Sequence, residues 1–133
     1  CLSVCDILKI SDNEIQWFSG KEDYTEGIHM LQQTYQIPLI LLSMGKDGSR
    51  AYYKDMLVEV PAFLQKNTIE TTGAGDTFGA CCLHHILKYG LDNLTKQQLK
   101  EMLTFANAAA SIITTRKGAL RVMPSLEEIQ RLL

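Results

Sequence analysis

No apolar run in this chain approaches the ~20 residues a membrane-spanning helix needs; Leu39–Leu42 is strand-sized. An excess of one charge sign is also missing. Thirteen Lys and Arg against fifteen Asp and Glu give a formal net charge of −2 and a pI near 5.9, which argues against a nucleic-acid binder, since those usually carry a basic face. Any anion site must therefore be local. The four cysteines, Cys1, Cys5, Cys81 and Cys82, include no CxxC pair, and neighbours such as Cys81 and Cys82 point to different sides of a helix. Metal-ligand spacing is absent, and the four read as buried or half-buried thiols of a reducing cytoplasm. His29, His84 and His85 have no ligand spacing either and read as surface or packing residues. Residues Cys1 to Asp6 lack a basic leader and a long apolar stretch, so they do not read as a secretion signal. With no initiator Met before them, they suggest a trimmed or partial chain. No repeat, low-complexity tract or linker interrupts residues 1–133.

What is present is ordinary for a globular protein: 46% hydrophobic and 21% charged residues, in a chain the size of one domain. Asp6–Ile10 is a short strand candidate. Ser11 and Glu14 stand at capping-box spacing for a helix that Gly20 ends. Between Asp23 and Tyr35, Ile28, Leu31 and Tyr35 recur on one helical face. Pro38 separates that helix from Leu39–Met44, whose unalternating apolar run suits a strand buried on both faces of a parallel sheet. Gly45-Lys46-Asp47-Gly48 is a tight turn. Ser49–Tyr53 and Met56–Val60 read as two strands joined at Lys54-Asp55. After a loop from Pro61 to Thr72, helices are expected over Ala74–Tyr89, Thr95–Thr114 and Leu126–Leu133, the last capped by Ser125 with Glu127 and Glu128 in its first turn. The alternation implies a three-layer α/β fold, a mostly parallel sheet flanked by helices.

The chemistry concentrates in Glu70-Thr71-Thr72-Gly73-Ala74-Gly75-Asp76-Thr77-Phe78. Two glycines around an alanine, where an apolar helix begins, let free N–H groups of the first turn meet an anion at the positive end of the helix dipole. Asp76 inside that cradle reads either as an ordinary first-turn acid or as a general base acting beside a held phosphoryl group. Other glycine motifs fit worse. A dinucleotide fingerprint needs GxGxxG directly after a strand, whereas the next glycine is Gly79, behind a loop; a Walker GxxxxGK[ST] is missing.

Thr71–Phe78 closely resembles the C-terminal motif of ribokinase-like (PfkB) carbohydrate kinases, usually Asp-Thr-Thr-Gly-Ala-Gly-Asp-x-Phe. Four further segments, in the same order, are similar to that family: Asp6 to Gly20 (its Asn-x-x-Glu region), Ser43–Gly48, Phe105–Ala110 and Thr115–Ala119. The resemblance covers nearly the whole chain. It implies the C-terminal, nucleotide-binding and catalytic part of an ATP-dependent sugar kinase with a ribokinase-like fold, fructokinase-like in flavour. Asp76 would be the base, and the amides of Gly73, Ala74 and Gly75 the anion hole. Ser43, Gly45 and Gly48 would line the nucleotide, with Asn107 near the adenosine. Glu14 would organise Mg2+ through water. Glu70 and the carbonyls around Thr72, Ile113, Arg116 and Gly118 lie where the family often binds a monovalent cation such as K+.

Two positions depart from the family pattern. Glu70 stands where Asp is usual, and its longer arm moves the carboxylate away from the cation. Ser11 replaces Asn, as in fructokinase-like members. Nothing resembles the N-terminal half that builds the family's sugar pocket. The implied partners are ATP, a small sugar, that missing half and, through surface it would leave bare, another copy of the chain. A kinase of ribose, 2-keto-3-deoxygluconate, a nucleoside or a sugar phosphate remains an alternative, as does a nucleotide-binding module without turnover.

Overall fold

A computed structural model describes residues 1–133. The chain opens with strand β1 (Ile7–Ser11) and helix α1 (Asp12–Ser19). Between them lies the capping box that the Ser11/Glu14 spacing predicts. Ser11 Oγ accepts the Glu14 N–H at 3.3 Å, and Glu14 Oε2 accepts the Ser11 N–H at 2.7 Å. Gly20 ends α1 in the left-handed conformation at φ 67°. Helix α2 (Tyr24–Tyr35), capped by Asp23, buries Ile28 and Leu31 and leads into β2 (Leu39–Ser43). β3 (Ser49–Tyr53) and β4 (Met56–Val60) follow, then α3 (Ala74–Tyr89), α4 (Lys96–Ile113) and α5 (Leu126–Leu132).

The four strands lie in the order β1-β2-β3-β4. Only β1 and β2 are parallel, from Ile7 opposite Leu39 to Ser11 opposite Ser43. The β2–β3 and β3–β4 pairs are antiparallel, so the sheet is mixed, and the expectation of a mostly parallel one holds at a single pair. Connection length is the physical reason. A parallel neighbour needs a crossover of a dozen or more residues, which α1 and α2 supply. The turns at Gly45–Gly48 and Lys54-Asp55 are too short for that and return the chain antiparallel.

β2 is buried on both sides, and successive residues serve different cores. Leu39 and Leu41 join Tyr53, Val58, Phe78, Leu99 and Leu103 beneath α3 and α4. Ile40 and Leu42 join Ile15, Ile28, Leu31 and Tyr52 beneath α1 and α2. The two clusters share no residue. Three layers result, as the helix–strand alternation predicts. Buried Ala106, Ala108 and Ala109 keep α4 close to its neighbours, with Ile129 of α5 packed on the last two.

Burial raises both helical thiols, Cys81 to about 11 and Cys82 further, so they stay protonated and act as packing groups. Cys1 differs from the sequence expectation. It is exposed, because the first residues lie outside both cores. His85 packs against Phe105 at 5.0 Å between ring centroids. No helix is long and apolar enough to cross a membrane.

Candidate active site

In an open α/β sheet, ligands collect beyond the carboxyl ends of parallel strands. β1 and β2 end together here, Ser11 beside Ser43, and the N-terminus of α3 lies at that end. A cavity of about 290 Å3 opens between the β2 end, the following turn, the loop before α3, and α4. Ser43, Gly45, Gly48, Ala74, Gly75 and Asn107 all line it, which brings together residues spread over more than sixty positions of sequence. Gly73 and Asp76 are not among its lining residues.

The start of α3 is built differently from other helix starts in the chain. Its N-cap is Gly73 at φ 80°, with no side-chain cap. Glycine is required there twice over. The left-handed backbone disfavours a side chain, and a Cβ would come within 3.0 Å of the Ala119 Cβ and 3.3 Å of Ile113 Cδ1. The Ala74 N–H donates to Thr71 O at 3.2 Å, and the Thr77 N–H to Gly73 O at 2.9 Å. The amides of Gly75 and Asp76 have no acceptor within the protein. Of the three amides the sequence singles out, Ala74 has an internal partner, while those of Gly73 and Gly75, and the Asp76 amide beside them, have none. The Asp76 carboxylate is exposed and takes part in no hydrogen bond or ion pair.

The two turn glycines have different reasons. Gly45 (φ 54°) has open space around its Cα, and only backbone conformation asks for glycine. At Gly48 (φ 97°) a Cβ would lie 2.2 Å from Val60 O, so the turn presses directly on the end of β4. Val60 O also accepts from Asn107 Nδ2 at 3.2 Å, and Pro61 O accepts from the same nitrogen at 3.1 Å. Asn107 thus ties α4 to the end of β4, and its side-chain donors are engaged by the protein itself.

Glu14 lies on α1, where Ser11 engages Oε2. Its carboxyl is held below the usual range, first by the Ser11 amide, then by the Ser11 hydroxyl and by Lys9. It is ionised at neutral pH. No cluster of three His, Cys, Asp or Glu side chains is arranged to hold a metal. The donor set fits an ion bound mostly through water and ligand oxygens, not one caged by protein. Near α3, Glu70 Oε2 accepts the Gly118 N–H at 3.4 Å, and Glu70 titrates below its ordinary value because of Thr72, Gly118 and Lys117, in that order. The Ile113 carbonyl accepts the Arg116 N–H at 3.1 Å, and the Arg116 guanidinium reaches Val122 O and Glu128. Glu70, Thr72, Ile113 and Gly118 are therefore neighbours, whereas the Arg116 side chain is committed to α5.

Sequence reasoning passed over Lys9. It shares a face of β1 with Ile7, the face toward α3, and its Nζ lies 3.2 Å from the place a Cβ on Gly75 would take. Period-two alternation along residues 7 to 11 puts it on that face, but only the topology shows that α3 starts there. Phe63, Gln65 and Ser111, which line the cavity, were missed as well; Gln65 Nε2 donates to Ser111 Oγ at 3.2 Å.

Three layers around a mixed sheet, with a glycine-capped helix opening on a cavity at the strand ends, define a three-layer α/β domain with its cavity at the carboxyl ends of the parallel pair. The chain belongs to the pfkB family of carbohydrate kinases, whose pattern matches residues 1–126. It is 34% identical over 131 residues to a fructokinase of Klebsiella pneumoniae, spanning 98% of this chain and 42% of that protein. To fructokinase-1 of Zea mays it is 32% identical over 128 residues, covering 96% and 39%. The crystal structure of a Vibrio cholerae O395 fructokinase, bound to fructose, ADP and calcium ion, superposes with a TM-score of 0.87 at 26% identity, over 99% of this chain and 42% of that one. An Arabidopsis thaliana ribokinase complexed with ribose and ATP gives 0.84 at 26% identity, over 98% and 41%. The chain spans about 40% of the length of these relatives.

Proposed function

We propose that this chain is the C-terminal, nucleotide-binding and base-bearing part of an ATP-dependent carbohydrate kinase that phosphorylates a hydroxyl of a small sugar. The observation that carries this reading is the start of α3: unpartnered Gly75 and Asp76 amides, the first of them in the cavity wall, beside an unpaired carboxylate. Donors for a transferring phosphoryl group and a base for the attacking hydroxyl need that juxtaposition. Asp76 takes the hydroxyl proton as the sugar oxygen bonds to the terminal phosphorus. The bond from that phosphorus to its bridging oxygen breaks, and ADP leaves with the bridging oxygen. The open amides, with Gly73 shaping the turn, hold charge on the phosphoryl oxygens during transfer. Ser43, Gly45 and Gly48 form the wall along the nucleotide, while Asn107 supports that wall by fastening α4 to β4. Glu14, ionised and only half engaged, would hold Mg2+ through water. The ion supplies neutralisation of phosphate charge. Glu70, Thr72, Ile113 and Gly118 would border a K+ ion, with Arg116 bracing them from behind.

Fructose is the first choice of sugar, on the strength of the fructokinase relatives and of Ser11. Ribose is the second, on the strength of the ribokinase likeness. The test is Asp76→Asn in the full-length protein. Turnover should fall by roughly 10²–10⁴-fold, the usual worth of a general base, with ATP affinity kept within a few fold. Near-normal turnover in a coupled ADP-release assay removes Asp76 from the role.

A further inference from the structure

Three buried hydroxyls of the chain have no hydrogen-bond partner: Ser49 Oγ, Tyr52 Oη and Thr77 Oγ1. Tyr52 stands beside the Arg50 guanidinium, and Thr77 lies in the first turn of α3. Ser49 differs from both in where it sits. It is fully buried, and it belongs to a row of serines across the end of the sheet where the cavity opens. Ser11 lies opposite Ser43, and Ser43 opposite Ser49. Period-two alternation puts all three on the face toward α3 and α4, the one that Ile7, Leu41 and Ala51 share. The Met44 N–H donates to Gly48 O at 2.9 Å, which makes Ser43 and Ser49 the next, non-hydrogen-bonded pair of the ladder. Side chains in such a pair are the closer kind, with Cβ atoms about 4.5–5.5 Å apart. Ser11 Oγ is taken by the cap of α1. Ser43 lines the cavity; Ser49 does not, and stands one strand behind it.

Burying a hydroxyl without a partner costs free energy that an alanine in the same space would not. Ser49 keeps that hydroxyl next to a residue of the cavity wall. A serine has one proton and two lone pairs, so Ser43 can donate to a ligand and still accept from behind. A turn about χ1 brings the two oxygens within reach. We propose that Ser49 is a positioning residue for the nucleotide: its hydroxyl donates to Ser43 Oγ while Ser43 donates to the bound nucleotide. The proposal rests on the reading of Ser43 as part of the nucleotide wall and adds the residue behind it. Ser49 itself touches no ligand. Its bond fixes the direction of the Ser43 proton and strengthens that donor, because hydrogen bonds in a chain polarise one another. The cost of the unpartnered hydroxyl is thereby recovered on binding, so it appears in affinity and not in stability.

Ser49→Ala removes the hydroxyl and keeps the small side chain. In the intact protein, calorimetry with ADP should show affinity lowered about 3- to 10-fold, the worth of one neutral hydrogen bond, while the melting temperature stays level or rises. Ser43→Ala should lower ADP affinity as well. Adding Ser49→Ala to it should change nothing further, because the two hydroxyls act as one unit. Ser49→Cys, similar in shape but a weak donor, should bind ADP nearer to Ser49→Ala than to the parent, which separates the bond from packing. Parental ADP affinity in Ser49→Ala would overturn the proposal, as would losses that add in the double variant or a melting temperature that falls with the affinity. If the parent itself binds no ADP, the nucleotide reading fails and the proposal with it. If ADP binds with the expected coupling but no sugar is phosphorylated, the kinase reading fails and the Ser49–Ser43 pair stands.

Discussion

The N-termini of α3 and α4 are built on opposite plans. At α4, Thr95 and Gln98 close a capping box, with Thr95 Oγ1 accepting the Gln98 N–H at 3.1 Å and Gln98 Oε1 accepting the Thr95 N–H at 2.9 Å. Ser11 with Glu14 and Ser125 with Glu128 do the same for α1 and α5, and Asp23 caps α2. α3 alone begins on a glycine with no side-chain cap. A capping box satisfies some of a helix's first donors internally; a helix start without one leaves them open, and packing must compensate. The contrast separates first-turn acids by role. Glu14 and Glu128 reach back to their caps, whereas Asp76 has no cap to reach and stays unpaired.

Giving α3 a conventional cap breaks the comparison most severely. Gly73→Ser should cost more than the about 1–2 kcal/mol of a left-handed side-chain-bearing residue, because its Cβ also meets Ala119 and Ile113. Binding of an ATP analogue should weaken by about tenfold or more as the open amides are displaced. Urea unfolding and calorimetry measure the two effects, and a Gly73→Ser protein with parental stability and affinity would show the two helix starts to be interchangeable. A smaller effect sharpens the contrast from the other side. Thr95→Ala should lower stability by about 1 kcal/mol and leave nucleotide binding unchanged, since α4 starts far from the cavity wall it supplies at Asn107 and Ser111. The smallest effect is a pH dependence. Glu128 titrates below its ordinary 4.5 because of the Ser125 amide and then Arg116. A depressed carboxyl contributes stability that is present above 4.5 and lost as pH falls through its folded value. Below about pH 5, stability measured by urea midpoints should therefore fall less steeply in Glu128→Gln than in the parent. Parallel curves would mean the box at α5 adds nothing that depends on charge.

Local signals were legible wherever the physics is local. Capping pairs three residues apart, Gly20 and Gly90 as helix stops, and the doubly buried Leu39–Leu42 run all mark elements whose cause lies within a few residues. Strand direction was harder, because an apolar run looks the same in a parallel or an antiparallel pair and only connection length separates them. At the site, the Gly73–Asp76 turn was readable, but the internal use of the Ala74 amide depends on where Thr71 O comes to lie. Asn107 was readable as a polar residue of the site, and the structure puts it in the cavity wall, but its two bonds to the end of β4 depend on where that strand comes to lie. Lys9 carried no motif at all. Its place depends on a strand and a helix more than sixty residues apart meeting at one corner.

The double burial of β2 also bears on how such a chain can change over generations. Alternate residues of one strand belong to two cores with no member in common. A substitution beneath α1 and α2 is answered by repacking there, while the layer beneath α3 and α4, which seats the cavity, keeps its own fit. Drift in Ile40 or Leu42 and drift in Leu39 or Leu41 can therefore proceed on separate schedules.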